Sequence, residues 1–354
     1  MSLPRRVAIV PGDGIGVEVT REAARVLRAA DELFGLGIAT EEFDWGADRY
    51  LRSRETLPAG ALDDLRARFG AILFGAVGDP RIPDGVHAKE ILLALRFELD
   101  LYINLRPVNL FHERLTPLKN KGPRDIDMMV FRENTEGLYA GVGGNFKQGT
   151  PDEVAINEDL NTRKGVDRIL RAAFECARSR RKRLCMSDKA NALPYAHGLW
   201  RRAFAAMQKE YPDVACEALY VDVAAMEMVR APERFDVLVT SNMFGDILTD
   251  LGAAIAGGLG LAASGNIHPG RVSLFEPVHG SAPDIAGKGI ANPLGSIRAL
   301  ALLLEHLGEG KAAARVEAAV RRTVLAGQVT RDLGGALSTS ACADHVLDGL
   351  RQEA

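Results

Sequence analysis

The sequence predicts an α/β protein with two domains. Short apolar segments alternate with segments whose apolar residues recur at helical spacing, a pattern typical of helices packed on a mainly parallel sheet. The 354 residues exceed the size at which a single core usually keeps growing. We therefore expect a first domain built from both chain ends, residues 1–103 and 255–354, and a central domain of residues 104–254, with the site in the cleft between them.

The elements follow from these patterns in order. A buried strand at 7–10 leads through the glycine-rich turn PGDGIG into a helix at 17–34. Further strands are expected at 71–77, 102–105, 126–131, 183–188 and 235–240, and helices at 91–99, 163–178 and 197–211. Three amphipathic helices are expected after residue 292. The glycine-rich segment 138–160 predicts a protruding hairpin arm that pairs two subunits.

Composition and charge exclude several classes of protein. Hydrophobic residues make up 47% and charged residues 26%, which is typical of a soluble globular chain and not of a disordered or membrane protein. The net charge of −3 provides no general attraction for nucleic acid or an anionic membrane. The four cysteines are widely spaced, and the N-terminal segment does not resemble a signal peptide. We expect a cytoplasmic protein.

Two aspartates in SNMFGDILTDLG indicate a metal site. Asp246 and Asp250 lie four residues apart in an expected helix, so their carboxylates share one face and repel each other. A divalent cation would reverse this repulsion, and carboxylate oxygens suit Mg²⁺ or Mn²⁺. Asp222 is a candidate third ligand. The alternative is a solvated acidic helix face, although the apolar residues around Asp246 argue for a nearby buried surface.

Five further side chains are candidates for chemistry. Arg96, Arg106 and Arg132 each end an apolar segment and could converge on a di- or tricarboxylate, or each could simply extend to solvent. Lys189 begins a loop after a strand and could act as a base, and Tyr139 could return a proton. From the residues alone, the pattern around Lys189 and Tyr139 favours ordinary surface residues.

The turn PGDGIG is a poor match to a dinucleotide-binding fingerprint. Its spacing is G-x-G-x-G, whereas the Rossmann motif requires G-x-G-x-x-G and an acidic residue after a second strand. We therefore do not expect a standard Rossmann site.

Several long motifs, taken together, resemble the β-decarboxylating dehydrogenases. They occur in the family's order over nearly the whole chain: IVPGDGIG, LRFELDLYINLRP, FRENTEGLY, DKAN, RFDVLVTSNMFGDILTDL and FEPVHGSAPDIAGKGIANP. The resemblance implies that the last motif holds the adenosine end of the nicotinamide cofactor through His279, Gly280, Ser281, Ala282, Asp284, Ile285 and Asn292. Asp284 followed by Ile285 matches the NAD-type pattern, since a carboxylate accepts the ribose hydroxyls and repels a 2′-phosphate.

The resemblance also implies roles for the other candidates. Three arginines would bind the malate moiety of a 2-hydroxy dicarboxylate: Arg96, Arg106 and Arg132. Three aspartates would bind Mg²⁺ or Mn²⁺: Asp222, Asp246 and Asp250. Lys189 would help remove the hydroxyl proton, and Tyr139 would protonate the enol. Because the family shares these residues across subunits, a homodimer is expected, with Asp222 and Lys189 reaching the partner's site.

The resemblance implies that residues of the helix KEILLALR face the substituent at C3 of the substrate. Glu90, Leu92 and Leu93 match the Glu and the Leu pair of isopropylmalate enzymes, and the two leucines would form an apolar wall. The first expectation is therefore 3-isopropylmalate, converted to 2-oxoisocaproate in leucine biosynthesis. FRENTEGLY resembles the isocitrate, homoisocitrate and tartrate groups, and INLRPVNLF followed by YAGVGGNF resembles the tartrate and D-malate branch. Tartrate or D-malate remains the alternative, while homoisocitrate and isocitrate fit less well. A noncatalytic regulatory homologue is disfavoured because Lys189, Tyr139 and the aspartates are all present.

Overall fold

Helices and strands alternate along residues 3–352, which are the residues that the computed structural model describes. The strands are β1 (Arg6–Gly12), β2 (Ala39–Glu42), β3 (Ala71–Ala76), β4 (Ile103–Asn109), β5 (Asp127–Glu133), β6 (Gly143–Phe146), β7 (Val154–Asn157), β8 (Arg183–Asp188), β9 (Ala215–Tyr220), β10 (Val237–Thr240), β11 (Ala263–Ile267) and β12 (Ser273–Pro277). The helices are α1 (Ile15–Phe34), α2 (Ala47–Ser53), α3 (Ala61–Arg68), α4 (Val86–Glu98), α5 (Arg163–Ser179), α6 (Ala196–Met207), α7 (Val221–Arg230), α8 (Asn242–Ala256), α9 (Leu294–His306), α10 (Gly310–Leu325) and α11 (Thr339–Arg351).

The chain divides into two units. Unit 1 comprises Met1–Leu101, Asn109–Pro123 and Ala253–Ala354, and unit 2 comprises Tyr102–Val108 and Arg124–Gly252. The expected boundary was wrong for residues 109–123, which belong to unit 1. Two contacts explain this: Arg114 donates to the Val324 carbonyl at 2.6 Å, and the Arg298 guanidinium stacks 4.8 Å from the Phe111 ring.

Unit 1 is built on strands in the order β2-β1-β3-β12-β11. All neighbours in this run are parallel except β11 and β12, which are antiparallel. Val7, Leu73 and Phe275 are buried among aliphatic side chains of α1, α9, α10 and α11. The apolar residues of α1 recur at helical spacing, and Gly35 ends this helix in the left-handed conformation at φ 62°. One face of the unit 1 strands is therefore covered by four helices.

Unit 2 has the strand order β4-β5-β10-β8-β9. The last four strands are parallel, with Val237 opposite both Met129 and Leu184. Helix α5 packs on β5, β10 and α6 and is strongly amphipathic, with Thr162 accepting from the Gly165 amide as its N-cap. Parallel strands place their carboxyl ends at one edge, where Arg132 and Ser187 precede the loops of the candidate site.

The arm is a two-stranded antiparallel hairpin of β6 and β7, as the glycine-rich segment predicted. Its apolar side chains are solvent-exposed within the chain, among them Phe146 at 65% and Ile156 at 51%. An isolated two-stranded hairpin is only marginally stable in water.

Several predicted boundaries were wrong by a few residues. The helix expected at 91–99 begins at Val86, because Gly85 adopts a left-handed conformation before it. The strand expected at 102–105 runs from Ile103 to Asn109. The helix expected at 197–211 ends at Met207 and tightens into a 3₁₀ turn, Gln208–Glu210. These ends are set by local backbone geometry that apolar spacing does not encode.

Candidate active site

Three side chains of unit 2 meet at the carboxylate of Asp246 on α8. The Arg132 guanidinium at the end of β5 pairs with Oδ1 of Asp246, and the Tyr139 hydroxyl donates to Oδ2 at 3.0 Å. The Arg106 guanidinium on β4 lies 3.7 Å from Oδ1. The arginines are almost fully buried, with exposures of 1% for Arg132 and 7% for Arg106. Tertiary structure thus brings four of the predicted site residues together.

Further polar contacts hold the two arginines in place. Nε of Arg132 donates to Oδ1 of Asn242 at 2.9 Å, and the Arg132 guanidinium lies 5.2 Å from the Tyr139 ring centre. Nε of Arg106 donates to Asn104 at 2.9 Å, while its Nη1 donates to Thr249 at 2.7 Å. Several donors of each planar guanidinium are therefore satisfied in a defined orientation.

The electrostatics of this cluster favour an ionised carboxylate beside a protonated phenol. Burial alone raises the pKa of Asp246, but the positive charges of Arg132 and Arg106 outweigh burial and hold that pKa below its ordinary value. Burial and the adjacent charge of Asp246 raise the pKa of Tyr139. At neutral pH Asp246 is an anion and Tyr139 keeps its proton.

The two aspartates of α8 offer carboxylate oxygens for a divalent cation. Asp250 is one helical turn after Asp246, is 61% exposed, and its Oδ1 lies 3.6 Å from Nη1 of Arg106. Oxygen donors of this type fit Mg²⁺ or Mn²⁺. Among residues 3–352, however, no group of three His, Cys, Asp or Glu side chains is arranged to hold a metal ion within one chain. A cation at Asp246 and Asp250 would therefore need a ligand from elsewhere.

The predicted third ligand, Asp222, pairs with Lys189. Nζ of Lys189 lies 2.5 Å from Oδ1 of Asp222 at the start of α7, and it lies 5.7 Å from the centre of the Tyr220 ring. The hydrogen bond from Lys189 lowers the pKa of Asp222. Lys189 follows β8, as the sequence predicted, and its side chain is 27% exposed. The two residues form a second charged pair within unit 2.

Arg96, the third predicted arginine, lies in unit 1. Nη2 of Arg96 on α4 donates to Oε1 of Glu276 on β12 at 3.0 Å, and Asn266 donates to the same oxygen at 2.8 Å. Both charged side chains are largely buried. In this structure Arg96 is therefore held by a carboxylate of its own unit.

Helix α4 also carries the three residues expected to contact the C3 substituent. Glu90 is exposed, while Leu92 and Leu93 are half-buried. Leu92 packs against a buried cluster that includes Ile91 and Leu95. The two leucines are therefore not equivalent, because part of Leu92 contributes to the core.

The predicted cofactor loop lies between β12 and α9 and is anchored to α1. The Ile15 amide donates to the Ser281 carbonyl at 2.8 Å. Glu18 accepts from the amides of Gly287 and Gly289. Ala282 and Ile285 pack with Ile15, Val19 and Ala291, and Gly280 and Asp284 remain exposed. These contacts anchor the loop to α1 without a Rossmann fingerprint.

Asn292 and His279 of this loop differ in whether their side-chain polar atoms have hydrogen-bond partners. The Asn292 side chain accepts from the Leu294 amide at 2.9 Å and donates to Asp332 at 2.8 Å, so it anchors the start of α9. Nδ1 of His279 lies 3.0 Å from the Gly280 carbonyl, which identifies it as the protonated nitrogen. Burial lowers the pKa of His279. Among the described residues its buried Nε2 atom has no hydrogen-bond partner, so this neutral imidazole retains an unused acceptor.

The sequence interpretation missed the residues that organise the turn PGDGIG. The buried Asp13 carboxylate accepts from the amides of Ala47 at 2.6 Å and Gly78 at 2.8 Å, and lies 2.9 Å from Nε2 of His87. A Cβ atom at Gly14, where φ is 56°, would lie 2.0 Å from the Ser281 carbonyl oxygen. The glycines therefore permit close backbone packing on the cofactor loop. The sequence feature that could have indicated this role for Asp13 is its position between two glycines.

No helix within the described part of the chain combines the length and apolar character needed to span a bilayer.

Comparison with known proteins confirms the resemblance inferred from the motifs. The isocitrate/isopropylmalate dehydrogenase family matches residues 6–346. A 3-isopropylmalate dehydrogenase from Thermobifida fusca (strain YX) is 48% identical over 351 residues, 98% of either chain. Another from Corynebacterium jeikeium (strain K411) is 50% identical and covers 98% of this chain and 100% of the relative.

A solved structure has the same fold. The crystal structure of isocitrate dehydrogenase from Methylococcus capsulatus matches with a TM-score of 0.87 and 39% identity, covering 98% of this chain and 99% of that one. From the family match and these identities, we conclude that the chain belongs to the isocitrate/isopropylmalate dehydrogenase family.

Proposed function

We propose that this chain catalyses the NAD-dependent, divalent-metal-dependent oxidative decarboxylation of 3-isopropylmalate to 2-oxoisocaproate, a step of leucine biosynthesis. The observation that carries the proposal is the meeting of Arg106, Arg132 and Tyr139 at the Asp246 carboxylate. Relatives that are about half identical over nearly the whole chain, and are themselves 3-isopropylmalate dehydrogenases, support the choice of substrate.

The charge balance of the cluster supports a dicarboxylate substrate. Arg106 and Arg132 are buried and now face Asp246 and Asp250. If these aspartates ligate a cation, their negative charge is shared with it, and further anions beside the buried guanidinium groups become favourable. Two substrate carboxylates would supply them through bidentate contacts. Arg96 is proposed to join them in binding the malate moiety.

The remaining chemistry is divided between bound groups and this chain's own residues. When bound, the nicotinamide supplies a hydride acceptor and the Mg²⁺ or Mn²⁺ ion supplies a Lewis acid. Lys189, paired with Asp222, would help remove the proton of the C2 hydroxyl. After CO₂ leaves, Tyr139 would return a proton to C3, and its raised pKa suits this role because the phenol stays protonated.

Cofactor selectivity is proposed to reside in the loop between β12 and α9. The exposed carboxylate of Asp284 would accept hydrogen bonds from the ribose hydroxyls and repel a 2′-phosphate. His279 would accept from the adenine through its buried Nε2 atom. Gly280, Ser281 and Ala282 would line the backbone beside the adenosine. Together these features favour NAD over NADP.

We further propose a homodimer with shared active sites. The exposed apolar side chains of the β6–β7 hairpin would be covered by a second copy. Asp222 and Lys189 would reach the partner's Asp246 and Asp250, which supplies the third carboxylate that one described chain lacks. Sedimentation equilibrium and mixed dimers that combine Lys189→Met with Asp246→Asn subunits test this arrangement.

The test of the proposed function is a substrate comparison. NADH formation with Mn²⁺ is measured for 3-isopropylmalate, D-malate, tartrate, isocitrate and homoisocitrate, with NADP⁺ as the cofactor control. We expect kcat/KM for 3-isopropylmalate to exceed the others by about tenfold or more, as one apolar contact of methyl scale can supply. Preference for D-malate or tartrate would keep the fold and the site but overturn the assignment of the α4 leucines.

A further inference from the structure

A buried histidine lies directly beside the proposed proton-transfer lysine. His197 at the start of α6 is 1% exposed, and its Nδ1 atom accepts a hydrogen bond from the Lys189 amide at 3.0 Å. Its ring is packed 5.1 Å from the ring of Phe244 on α8, the helix that carries Asp246. The motif DKAN does not include His197, which lies eight residues after Lys189.

The hydrogen bonds around this histidine have only one consistent direction. The Lys189 amide can only donate, so Nδ1 of His197 is the acceptor and the proton resides on Nε2. Nε2 faces Oδ2 of Asp159 at 3.5 Å. Asn161 donates to Oδ1 of Asp159 at 2.9 Å, and Nε1 of Trp200 donates to the Asn161 oxygen at 2.8 Å. Because Trp200 can only donate and Asp159 accepts, the Asn161 amide orientation is determined as well.

The charge on Asp159 is maintained by the same chain of contacts. The hydrogen bond from His197 lowers the pKa of Asp159, and burial opposes it. An anionic Asp159 is the acceptor that keeps the Nε2–H tautomer of His197. This tautomer leaves Nδ1 free to accept from the lysine amide.

The carbonyl of Lys189 is also anchored. It accepts from the amides of Ala192 at 2.9 Å and Leu193 at 2.8 Å, and the His197 amide in turn donates to the Leu193 carbonyl at 3.0 Å. Both backbone polar groups of Lys189 are thus held by the loop and the start of α6. Only the side chain is left to extend toward Asp222.

We propose that His197 is a positioning residue for Lys189, with Asp159, Asn161 and Trp200 maintaining its tautomer. This inference rests on the proposed function, in which Lys189 helps remove the substrate's hydroxyl proton. The fixed amide and carbonyl of Lys189 set the point from which its side chain starts, and the ion pair with Asp222 holds the amine at the other end. Displacement of a reacting group by about 1 Å can reduce a rate by about 10²-fold.

Two nearly isosteric variants isolate the hydrogen bond to Lys189. His197→Asn retains an acceptor, Oδ1, near the position of Nδ1, whereas His197→Leu has the same branched shape and no acceptor. Both lose the contact with Asp159. We expect kcat with Mn²⁺, NAD⁺ and the preferred 2-hydroxy dicarboxylate to fall about 10- to 100-fold in His197→Leu and by less than about threefold in His197→Asn. KM for substrate and cofactor should change little in either variant.

A second measurement does not depend on turnover. Amide hydrogen exchange of the peptide containing Lys189 should be faster in His197→Leu than in wild type, and near wild type in His197→Asn. His345→Gln, at an exposed position of α11, is the matched control and should leave exchange and kcat unchanged. Asp159→Ala removes the acceptor of the Nε2 proton and should accelerate exchange at Lys189, which provides a second variant if His197→Leu does not fold.

The outcomes separate this inference from the proposed function. Equal kcat and equal exchange in His197→Leu and His197→Asn would overturn the positioning role, as would an unchanged Lys189 amide in Asp159→Ala. A wild-type enzyme that oxidises none of the five substrates would instead overturn the proposed function. In that case the exchange rates still decide whether His197 anchors Lys189.

Discussion

The hydroxyl group of Tyr139 donates a hydrogen bond to Oδ2 of Asp246 at 3.0 Å, although the two residues are 107 positions apart in the chain. Oδ1 of the same carboxylate pairs with Arg132. One aspartate therefore links the proposed proton donor, the arginine proposed to bind a substrate carboxylate and the proposed cation site. Variants of these residues should affect different steps and can be separated by measuring turnover and metal binding independently.

Tyr139→Phe should reduce kcat by about 10²-fold or more, because it removes the proposed donor for C3. The carboxylates of Asp246 and Asp250 remain, so the Mn²⁺ dissociation constant measured by calorimetry should change little. Tyr195→Phe is a suitable control, since Tyr195 is 91% exposed. Wild-type kcat in Tyr139→Phe would remove this residue from the chemistry.

Asp246→Asn should abolish metal-dependent turnover. The neutral amide is a weaker ligand and also removes the negative charge that pairs with the buried Arg132. Loss of an outer-shell partner already weakens metal sites by about 10- to 100-fold, so loss of a ligand should weaken Mn²⁺ binding at least as much. Mn²⁺ titration checks this, with Asp167→Asn on the exposed face of α5 as the control. Unaltered Mn²⁺ affinity would rule out Asp246 as a ligand.

Leu93→Ala should lower kcat/KM for 3-isopropylmalate by about 10- to 200-fold, the usual range for an apolar contact. D-malate has no isopropyl group and should be affected much less. Leu92→Ala is a less specific variant, because Leu92 also packs against the Ile91 cluster and its truncation should lower the melting temperature. Equal losses for both substrates in Leu93→Ala would contradict a C3 pocket at this leucine.

Asp284→Lys should raise the ratio of kcat/KM with NADP⁺ to that with NAD⁺ by about tenfold or more, equivalent to ~1.4 kcal/mol. The change replaces a carboxylate that would repel a 2′-phosphate with a cation that attracts it. Asp284→Asn separates loss of repulsion from gain of attraction. Ile285 is best left unchanged in this experiment, because it packs with Ile15 and Val19 and anchors the loop. An unchanged ratio in both variants would refute Asp284 as the selectivity residue.

Ionisation of the Glu133 carboxyl should make the free energy of unfolding depend on pH. Burial raises the pKa of Glu133, while hydrogen bonds from the Thr135 amide and hydroxyl and from the Glu136 amide oppose the shift. The folded state therefore binds this proton more tightly than the unfolded state. The resulting stabilisation is fully present below the unfolded-state pKa and is lost as pH rises through the folded-state pKa.

Thermal unfolding of wild type and Glu133→Gln between pH 4 and pH 8 tests this linkage, with about 4.3 as the reference for an unperturbed glutamate. The melting temperature of wild type relative to the variant should be highest at the acid end and should decline with rising pH. A difference that stays constant over the whole range would show that Glu133 does not titrate with a raised pKa.

The sequence was most informative where a property is local. Alternating apolar segments predicted the strands and helices, and the glycine-rich segment predicted the β6–β7 hairpin. It was less informative for polar side chains. Asp13 and His87 lie 74 positions apart, and neither residue alone indicates that they form a buried pair under the turn. Similarly, residues 109–123 were assigned to the wrong unit because the Arg114 contact with Val324 is not visible in apolar spacing.

The sequence by itself determined the α/β alternation, the family motifs and the chemical types of the site residues, because these are carried by periodicity and by side-chain identity. Only the tertiary structure decided that Arg106, Arg132 and Tyr139 share the carboxylate of Asp246, and that the buried His197 holds the backbone of Lys189. Such pairings depend on strand order and on which faces of helices are packed together. They arise from contacts across long separations in the chain, which spacing along the sequence does not specify.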